Sequence, residues 1–482
     1  MDIVGKLKNY RNLSEPVKAS MWYTVSNVLQ KGMALLATPI FTRLMTKDQY
    51  GEYSIFMSWY NILAIAATLN LHQSSYDKGL LVYEKEERAF TSSMLGLCLT
   101  LWGTMLAVYL LFRDFWTEVL GLSPLLMGAM FLLLFTSPAG DFWAARERFN
   151  FRYKKYVAVT LCTTVLSLVL GVIFVVNSQD KTAARIYTDV GAKSIFPLLL
   201  IVPMMIQGKC FFRRDFWKYG LLFNLPLIPH YLSTFVLNQA DRIMIRNLVG
   251  ESAAAVYSVA YTVSTVMLLV TNAINSALVP YVYRAINGGT PEKVRSSTRL
   301  LFPLTAGLSI LTMCFAPEII TVFAGRSYAE AIWVIPPIAA SVYFIFAYSM
   351  FSTIEYYYQK TGMIALASCL CAAANLWLND VFIRRYGYYA AGYTTLACYL
   401  LLMLLHFLFY RRAVREQLPG VRYLHDLPMV FGCGAAVLAV MLLMALTYRT
   451  LLVRYSLLAV VGGVAIWKRK EILALLGSLR RE

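Results

Sequence analysis

The sequence predicts an all-α polytopic membrane protein with fourteen transmembrane helices. Fourteen apolar stretches, most of them about twenty residues long, follow one another from Met21 to Trp467. A bilayer core is ~30 Å thick and a helix rises ~1.5 Å per residue, so each stretch can cross while satisfying its own backbone hydrogen bonds. The composition agrees, because 59% of the residues are hydrophobic and only 15% are charged. These values exclude a soluble domain of ordinary size.

The predicted spans divide the chain into helices separated by short charged connectors. They are 19–41, 52–72, 90–112, 120–142, 156–177, 186–206, 217–239, 253–281, 300–323, 329–354, 362–381, 389–410, 428–447 and 451–467. No connector between them is long enough to form an external catalytic domain. The function is therefore expected inside the membrane.

The distribution of lysine and arginine predicts that both termini are cytoplasmic, because cytoplasmic connectors retain positive charge during insertion. The amino-terminal segment is basic, and the connectors after even-numbered spans hold most of the remaining lysines and arginines, as in the run Arg146, Arg148, Arg152, Lys154 and Lys155. This topology accounts for most of the net charge of +18. Because the charge is dispersed over many connectors, nucleic acid is not an expected partner.

An internal repeat predicts two related lobes. Residues 43–52, RLMTKDQYGE, align without gaps with residues 242–251, RIMIRNLVGE, and a four-residue insertion then brings Tyr53 onto Tyr257. Both segments leave an odd-numbered span on the outer side. We therefore expect two pseudo-symmetric six-helix lobes plus two extra helices: 1–209 with spans 1–6, 210–415 with spans 7–12, and 416–482 with spans 13 and 14 and a cytoplasmic tail.

A weaker correspondence lies at the cytoplasmic ends of spans 4 and 10. DFWAAR runs from Asp141 to Arg146, and EYYYQK runs from Glu355 to Lys360. The acid and the base are five residues apart, which leaves them about 140° apart on a helix. We expect each charged side chain to pair with a different neighbour, or to lie as an ordinary charged residue at the membrane boundary.

The repeat segments resemble those of a known family. TPIFTRLMTKDQYGEYS at 38–54 and DRIMIRNLVGESAAAVYSVAY at 241–261 are similar to the oligosaccharide flippases of polysaccharide biosynthesis, in the multidrug/oligosaccharidyl-lipid/polysaccharide exporter superfamily. The resemblance implies alternating access around a cavity between the lobes, in the bacterial inner membrane. It implies a polyprenyl-diphosphate-linked oligosaccharide as cargo, with membrane lipids, and with a polysaccharide polymerase or chain-length proteins as further partners.

Lys31 is the leading candidate ligand for the diphosphate of such a cargo. It lies near the centre of span 1, where an ionisable group is costly and indicates function. Its counterpart in the repeat is His230, which would be a second cationic ligand or a protonation-sensitive group. The alternatives are a lysine paired with a carboxylate for structure alone and a histidine hydrogen-bonded within the bundle.

Span 7 contains Pro226 and Pro229 directly before His230. Because proline removes a backbone donor and clashes with the preceding turn, this helix is predicted to be kinked or locally unwound. It would either bend during alternating access or carry a static kink that improves packing.

The remaining candidates divide into sugar ligands and coupling or gating groups. Arg43, Asn238, Asp241 and Arg242 lie at the outer ends of spans 1 and 7, where they would bind sugars, form gate ion pairs or anchor the helices at the interface. The sugar-ligand set is completed by Asn272 and Asn275 in span 8, although asparagines also bridge membrane helices. Proton or sodium coupling would use buried carboxyl groups such as Asp141 and Glu355, whereas downhill transport needs none.

Two alternative functions were weighed. A multidrug antiporter coupled to cations would place acidic residues at mid-cavity, whereas this chain places a lysine there. A membrane glycosyltransferase or polymerase would need a larger external loop. There is no phosphate-binding loop for ATP, and the eight cysteines show no metal-ligand spacing with histidine, so neither an enzyme nor a cofactor is expected.

Overall fold

The computed structural model describes residues 15–72, 75–290, 292–358, 360–418, 420–448 and 450–467. Within these ranges the regular elements are helical and no strand occurs. The first ten α-helices are α1 Glu15–Leu44, α2 Lys47–Thr68, α3 Ser75–Val82, α4 Glu87–Leu111, α5 Arg113–Leu120, α6 Pro124–Phe149, α7 Tyr153–Asn177, α8 Lys181–Gly208, α9 Arg214–Asn224 and α10 Ile228–Phe235. The next ten are α11 Asp241–Leu248, α12 Glu251–Thr265, α13 Met267–Asn287, α14 Glu292–Cys314, α15 Ala316–Phe323, α16 Ile335–Tyr357, α17 Thr361–Tyr386, α18 Tyr389–Gln417, α19 Leu427–Thr447 and α20 Leu451–Trp467.

The helices begin where the sequence provides capping groups. At the start of α2, the Thr46 hydroxyl accepts from the Gln49 backbone N–H, and the Gln49 side chain accepts from the Thr46 N–H. Ser123, Asp180 and Asp426 accept from backbone N–H groups at the starts of α6, α8 and α19. Each cap satisfies a donor that the first helical turn leaves without a partner.

The predicted fold class is confirmed, but the count of fourteen spans is not. Every predicted span coincides with one or two helices, yet only ten helices in the described ranges are long and apolar enough to cross, or eleven if α14 and α15 form one span. Predicted spans 1, 2 and 14 are outside that number, and α20 in span 14 is too short, with 17 residues. In α1 and α2, polar and charged residues such as Gln30, Lys31 and Asn61 dilute the apolar sequence.

Two predicted spans are broken rather than straight. In span 7, α9 ends at Asn224, a 3-10 turn covers Leu225–Leu227, and a π-helix covers Val236–Ala240. The predicted local unwinding beside Pro226 is therefore confirmed. In span 9, α14 and α15 are bent by 63°. There, Arg454 of α20 donates to the Cys314 backbone oxygen at 3.1 Å and to Glu318 at 2.9 Å.

The chain forms two compact units, Met1–Leu232 and Ser233–Glu482. The division falls inside span 7, because α9 packs within the first unit. There the Trp217 indole donates to the Ser93 backbone oxygen at 2.9 Å, and the Asn224 amide donates to Ser75 Oγ at 2.5 Å. The second unit is organised around α16, most of which is buried, and the Tyr343 hydroxyl of this helix donates to the Val430 backbone oxygen of α19 at 2.5 Å.

Candidate functional site

The second unit contains a fully buried carboxylate, that of Asp241. Asn379 Nδ2 of α17 donates to Asp241 Oδ1 at 2.5 Å, and Thr395 Oγ1 of α18 donates to Oδ2 at 2.6 Å. The Tyr257 hydroxyl of α12 donates to the same Oδ2 atom. Helices from three parts of the sequence thus converge on one carboxylate. Burial of a charge is costly unless the charge is hydrogen-bonded in this way.

A second polar layer surrounds Asn238, one helical turn before Asp241. Asn238 Oδ1 accepts from the Tyr261 hydroxyl at 2.8 Å and from the Tyr399 hydroxyl at 3.2 Å. The Arg242 guanidinium lies over the Tyr261 ring, 4.7 Å from its centroid, and Arg242 also donates to Gln239. Asn238 lies within the π-helix at Val236–Ala240, which ends directly before Asp241, and such irregular turns are frequent at functional sites.

The first unit has a buried carboxylate of its own, that of Asp189 on α8. Its Oδ1 atom accepts from the Ser167 hydroxyl at 2.5 Å, and Lys193 Nζ donates to Oδ2 at 2.7 Å. Arg185 Nη2 lies 3.9 Å from Oδ1. The Tyr53 hydroxyl of α2 donates to Oδ2 at 3.3 Å. Two cations and two hydroxyl groups therefore surround this carboxylate.

A tyrosine hydrogen bond is common to the two units and involves matched positions of the repeat. Tyr53 and Tyr257 are matched in the repeat, and each donates a hydrogen bond to the buried aspartate of its own unit. The aspartates themselves come from different positions, span 6 for Asp189 and the end of span 7 for Asp241. The repeat therefore preserves the tyrosine donor and not the acceptor.

Two further carboxylates lie near the predicted cytoplasmic ends of helices. Glu355 of α16 is fully buried, and both of its carboxylate oxygens lie 3.0 Å from His406 Nδ1 of α18. Asp141 lies 3.8 Å from His72, while Arg146 pairs with Glu87. Lys360 pairs with Glu416 at 3.4 Å. The expectation that the acid and base of each segment pair with different neighbours is confirmed.

The remaining predicted residues differ in exposure and in their position along the helices. Lys31 lies in the middle of α1 with an exposed side chain, and Arg43 is exposed at the end of the same helix. His230 is half-buried in α10, directly after Pro229, and belongs to the same compact unit as Lys31. In α13, Asn272 is exposed, while the Asn275 amide donates to Ser349 Oγ of α16 at 3.0 Å.

Of the predicted residues, Asn238, Asp241 and Arg242 are brought together in the second unit, whereas Asp141, Lys31 and His230 belong to the first unit. Sequence reasoning missed the charged face of α8. The signal was present in RIYTDVGAK, where Arg185, Asp189 and Lys193 recur every four residues and so share one helix face. It also missed His406 and Thr395, single residues whose partners are distant in sequence.

Comparisons with known proteins agree with this architecture. The profile of the family described as polysaccharide biosynthesis protein matches residues 17–285, and the MatE profile matches residues 226–382. Protein 1 of the Lsg locus of Haemophilus influenzae is 30% identical over 163 residues, which cover 32% of this chain and 38% of that protein. An uncharacterized membrane protein of the same organism is 20% identical over 374 residues, 73% of this chain and 87% of that protein.

Two solved structures share the fold at low sequence identity. The lipid II flippase MurJ, in an inward closed conformation, has a TM-score of 0.67 and 13% identity, and the match covers 94% of this chain and all of MurJ. An inward-facing multidrug resistance MATE transporter of the MOP superfamily has a TM-score of 0.62 and 15% identity, covering 81% and 96% of the two chains. The chain therefore has the fold of the MOP superfamily transporters, and it belongs to the polysaccharide biosynthesis protein family.

Proposed function

We propose that this protein is a flippase for a polyprenyl-diphosphate-linked oligosaccharide. It moves the repeat unit from the cytoplasmic to the outer leaflet of the bacterial inner membrane by alternating access, with both termini in the cytoplasm. The product supplies a surface polysaccharide such as O-antigen, capsule or exopolysaccharide, through a polymerase and chain-length proteins. Family membership and the fold shared with a lipid II flippase support this proposal.

The observation that carries the proposal is the position of Lys31. Its side chain is exposed in the middle of α1, the helix of predicted span 1. A charge at this depth is costly when it faces lipid, so it belongs where water or an anion reaches it. A diphosphate supplies that anion, and we assign Lys31 as its ligand, with His230 as a second cationic or protonation-sensitive group. The half-buried position of His230 after the broken turn of span 7 is compatible with this role.

The proposed sugar-binding residues fall into two groups according to the exposure of their side chains. Arg43 and Asn272 are exposed and are proposed to contact sugar hydroxyls directly. The Asn275 amide donates to Ser349, and the side-chain oxygen of Asn238 accepts from two tyrosine hydroxyls. We therefore propose that Asn238 and Asn275, together with Arg242, act on the sugars through the polar layer they organise.

Coupling is proposed to use Asp241. Its carboxylate oxygens accept from the Asn379 amide N–H and from the Tyr257 and Thr395 hydroxyls, so carboxylate and hydroxyl oxygens meet at this point. Oxygen ligands of this kind suit a hard monovalent cation, and a buried carboxylate is also a site for a proton. Glu355 with His406, and Asp141 with His72, are proposed as gating pairs whose contacts change during the cycle.

A cation-coupled multidrug antiporter is the second candidate, because the MatE profile matches residues 226–382. An antiporter for cationic drugs needs an acidic group that the drug can reach. Asp241 and Asp189 are instead buried and hydrogen-bonded within their own units, while Lys31 is exposed. This distribution of charge favours an anionic cargo.

Complementation tests the proposal. The gene is expressed in a bacterium that lacks its own oligosaccharide flippase, and surface polysaccharide is measured beside the minimum inhibitory concentrations of cationic drugs. We expect polymer to be restored by the native chain and by the Lys155→Ala control, whose lysine lies exposed in the first turn of α7, and lost in Lys31→Ala at equal protein levels. Drug resistance without polymer would favour the antiporter instead.

A further inference from the structure

The charged face of α8 carries more positive than negative charge inside the first unit. Arg185, Asp189 and Lys193 are spaced four residues apart, so the carboxylate lies between the two cations. Arg185 and Asp189 are buried, whereas 39% of the Lys193 side chain is exposed. With one acid and two bases, the group has a net charge of +1. An uncompensated charge of this kind is costly in a membrane and indicates a function.

The Arg185 guanidinium lies next to two aromatic rings as well as to Asp189. Its guanidinium lies 4.1 Å from the centroid of Phe41 and 4.9 Å from that of Tyr53. A Cβ atom at Gly171 would lie 2.8 Å from Arg185 Nη1, so this glycine leaves the space that the guanidinium occupies. Arg185 is 6% exposed, and its buried Nε atom has no hydrogen-bond partner among the residues that the structure describes. Within that part of the chain, the arrangement thus retains a donor without an acceptor.

A small polar cavity adjoins this charged face. Its volume is about 220 Å³, and Arg185, Asp189 and Lys193 line it together with hydroxyl groups of Thr38, Thr163 and Thr164. Ligand pockets for whole organic molecules usually measure ~300–1,000 Å³. The cavity therefore suits one anionic group with its immediate neighbours rather than an oligosaccharide.

The depth of the cavity follows from the helices that line it. Lys181 Nζ at the start of α8 donates to the Leu44 backbone oxygen at the end of α1 at 2.6 Å, so these two helix ends lie at one level. At ~1.5 Å per residue, Lys31 lies about 20 Å from that level along α1, and Lys193 lies about 18 Å from it along α8. Lys31 and Lys193 are therefore at similar depth along their helices.

We propose that this cavity is an oxyanion-binding site in which Lys193 and Arg185 hold a phosphate or carboxylate group and Asp189 is the internal counter-ion that the ligand displaces. The anion would come from the diphosphate or from an acidic sugar of the cargo. This identification of its source rests on the function proposed above, whereas anion binding itself does not. In the resting state, Asp189 keeps both cations in place. When an anion enters, Lys193 rotates from Asp189 towards it, and Arg185 Nε donates to it.

Binding to the purified full-length protein in lipid nanodiscs tests this site without any transport. Inorganic pyrophosphate and glucuronate are titrated separately by calorimetry, with glucose as the neutral control. We expect an anion to bind and glucose not to bind, and the tighter anion identifies the source. Lys193→Gln should weaken binding by about 10- to 100-fold, the value of one charged hydrogen bond, while Lys193→Arg should retain most of it.

The variant with the most specific outcome is Asp189→Asn. If Asp189 competes with the ligand for the cations, its removal tightens anion binding, whereas a purely structural role predicts weaker binding. Lys155→Gln is the matched control for a lost positive charge and should bind as the native chain does. Unchanged anion affinity in Lys193→Gln, or weaker affinity in Asp189→Asn, overturns the proposal. If Lys193→Gln does not fold, the anion affinity of Asp189→Asn alone decides whether the proposal holds.

These outcomes are separable from the proposed function. Anion binding that depends on Lys193, in a protein that does not restore polysaccharide, would retain the site and reject the flippase. Restored polysaccharide with anion binding that does not depend on Lys193 would retain the flippase and reject the site.

Discussion

At the residue scale, each compact unit contains a buried aspartate, but the neighbours of the two carboxylates differ. Asp189 lies between an arginine and a lysine, whereas Asp241 accepts from uncharged amide and hydroxyl groups. Neighbouring cations compensate the charge of a carboxylate, whereas neutral donors satisfy its hydrogen bonds and leave the positive charge to be supplied by a proton or a cation. This difference is the reason we assign anion binding to the first site and coupling to the second.

Replacement of Asp241 by asparagine tests that assignment. Asp241→Asn should abolish polysaccharide export at unchanged protein level, because the amide cannot take up a cation or proton in place of the carboxylate. Asp380→Asn is the matched control, since Asp380 is half-exposed and forms an ion pair with Arg384 one turn away on the same helix. Export by Asp241→Asn at the native rate would remove this residue from the coupling mechanism.

His425 predicts an acid-sensitive stability. It is buried in the connector before α19, beside Phe302, Phe351 and Tyr410. This burial lowers its pKa to about 4. The unfolded chain takes up its proton near pH ~6.5, so stability is full above that pH and falls between about 6.5 and 4, by at most ~1.4 kcal/mol per pH unit.

The measurement is the thermal unfolding midpoint in detergent from about pH 7 to about pH 5. The native chain should lose stability over this range, and His425→Asn should have a lower midpoint at neutral pH but a shallower dependence. If both proteins show the same pH dependence, His425 is not the group responsible.

Sequence reasoning succeeded for residues whose position in the chain carried the information. Asp241 was found because it lies at the predicted outer end of span 7, directly before the second repeat segment, and Pro226 because proline has a local effect on a helix. Lys193 and Asp189 were missed because span 6 was predicted from its mean apolar character. That mean does not show that residues spaced four apart share one face of the helix. Thr395 and His406 required the packing of α18 against α11 and α16, which no local pattern reports.

At the element scale, span 7 is the helix whose irregularity is most open to test. Pro226 lies in a 3-10 turn between α9 and α10. Pro226→Ala should allow the α-helix to continue through this turn and should slow export without lowering the unfolding midpoint. Pro124→Ala is the control, because Pro124 is in the first turn of α6, where proline is accommodated. Equal export by Pro226→Ala and the native chain would indicate a static kink.

Close packing of α4 gives a second element-scale prediction. A Cβ atom at Gly96 would lie 2.2 Å from the Phe211 backbone oxygen, whereas at Gly103 of the same helix nothing lies within 4 Å. Gly96→Ala should therefore destabilise the protein by about 1–3 kcal/mol. Gly103→Ala should be neutral or stabilising by up to ~1 kcal/mol, because alanine favours the helix. Thermal unfolding in detergent compares the two, and equal midpoints would contradict the close contact.

At the scale of the whole molecule, the fold class was predictable, whereas the number of crossings was not. Long apolar stretches determine a polytopic helical protein directly. Counting is harder because α1 and α2 carry polar side chains and α14 and α15 are bent by 63°, so length and composition no longer separate a crossing from a partial one. The family assignment does not depend on this count, since the matched region at 17–285 extends over the first repeat segment and the second.

The central claim is that an exposed ammonium within the first span receives the diphosphate of a lipid-linked oligosaccharide. The direct test reconstitutes the purified protein in liposomes with a fluorescent polyprenyl-diphosphate oligosaccharide and measures how much of the label becomes accessible to a membrane-impermeant quencher over time. The account predicts faster exchange between leaflets with the native chain than in empty liposomes, and no acceleration with Lys31→Ala. Equal exchange in native and empty liposomes, or full acceleration by Lys31→Ala, would contradict it.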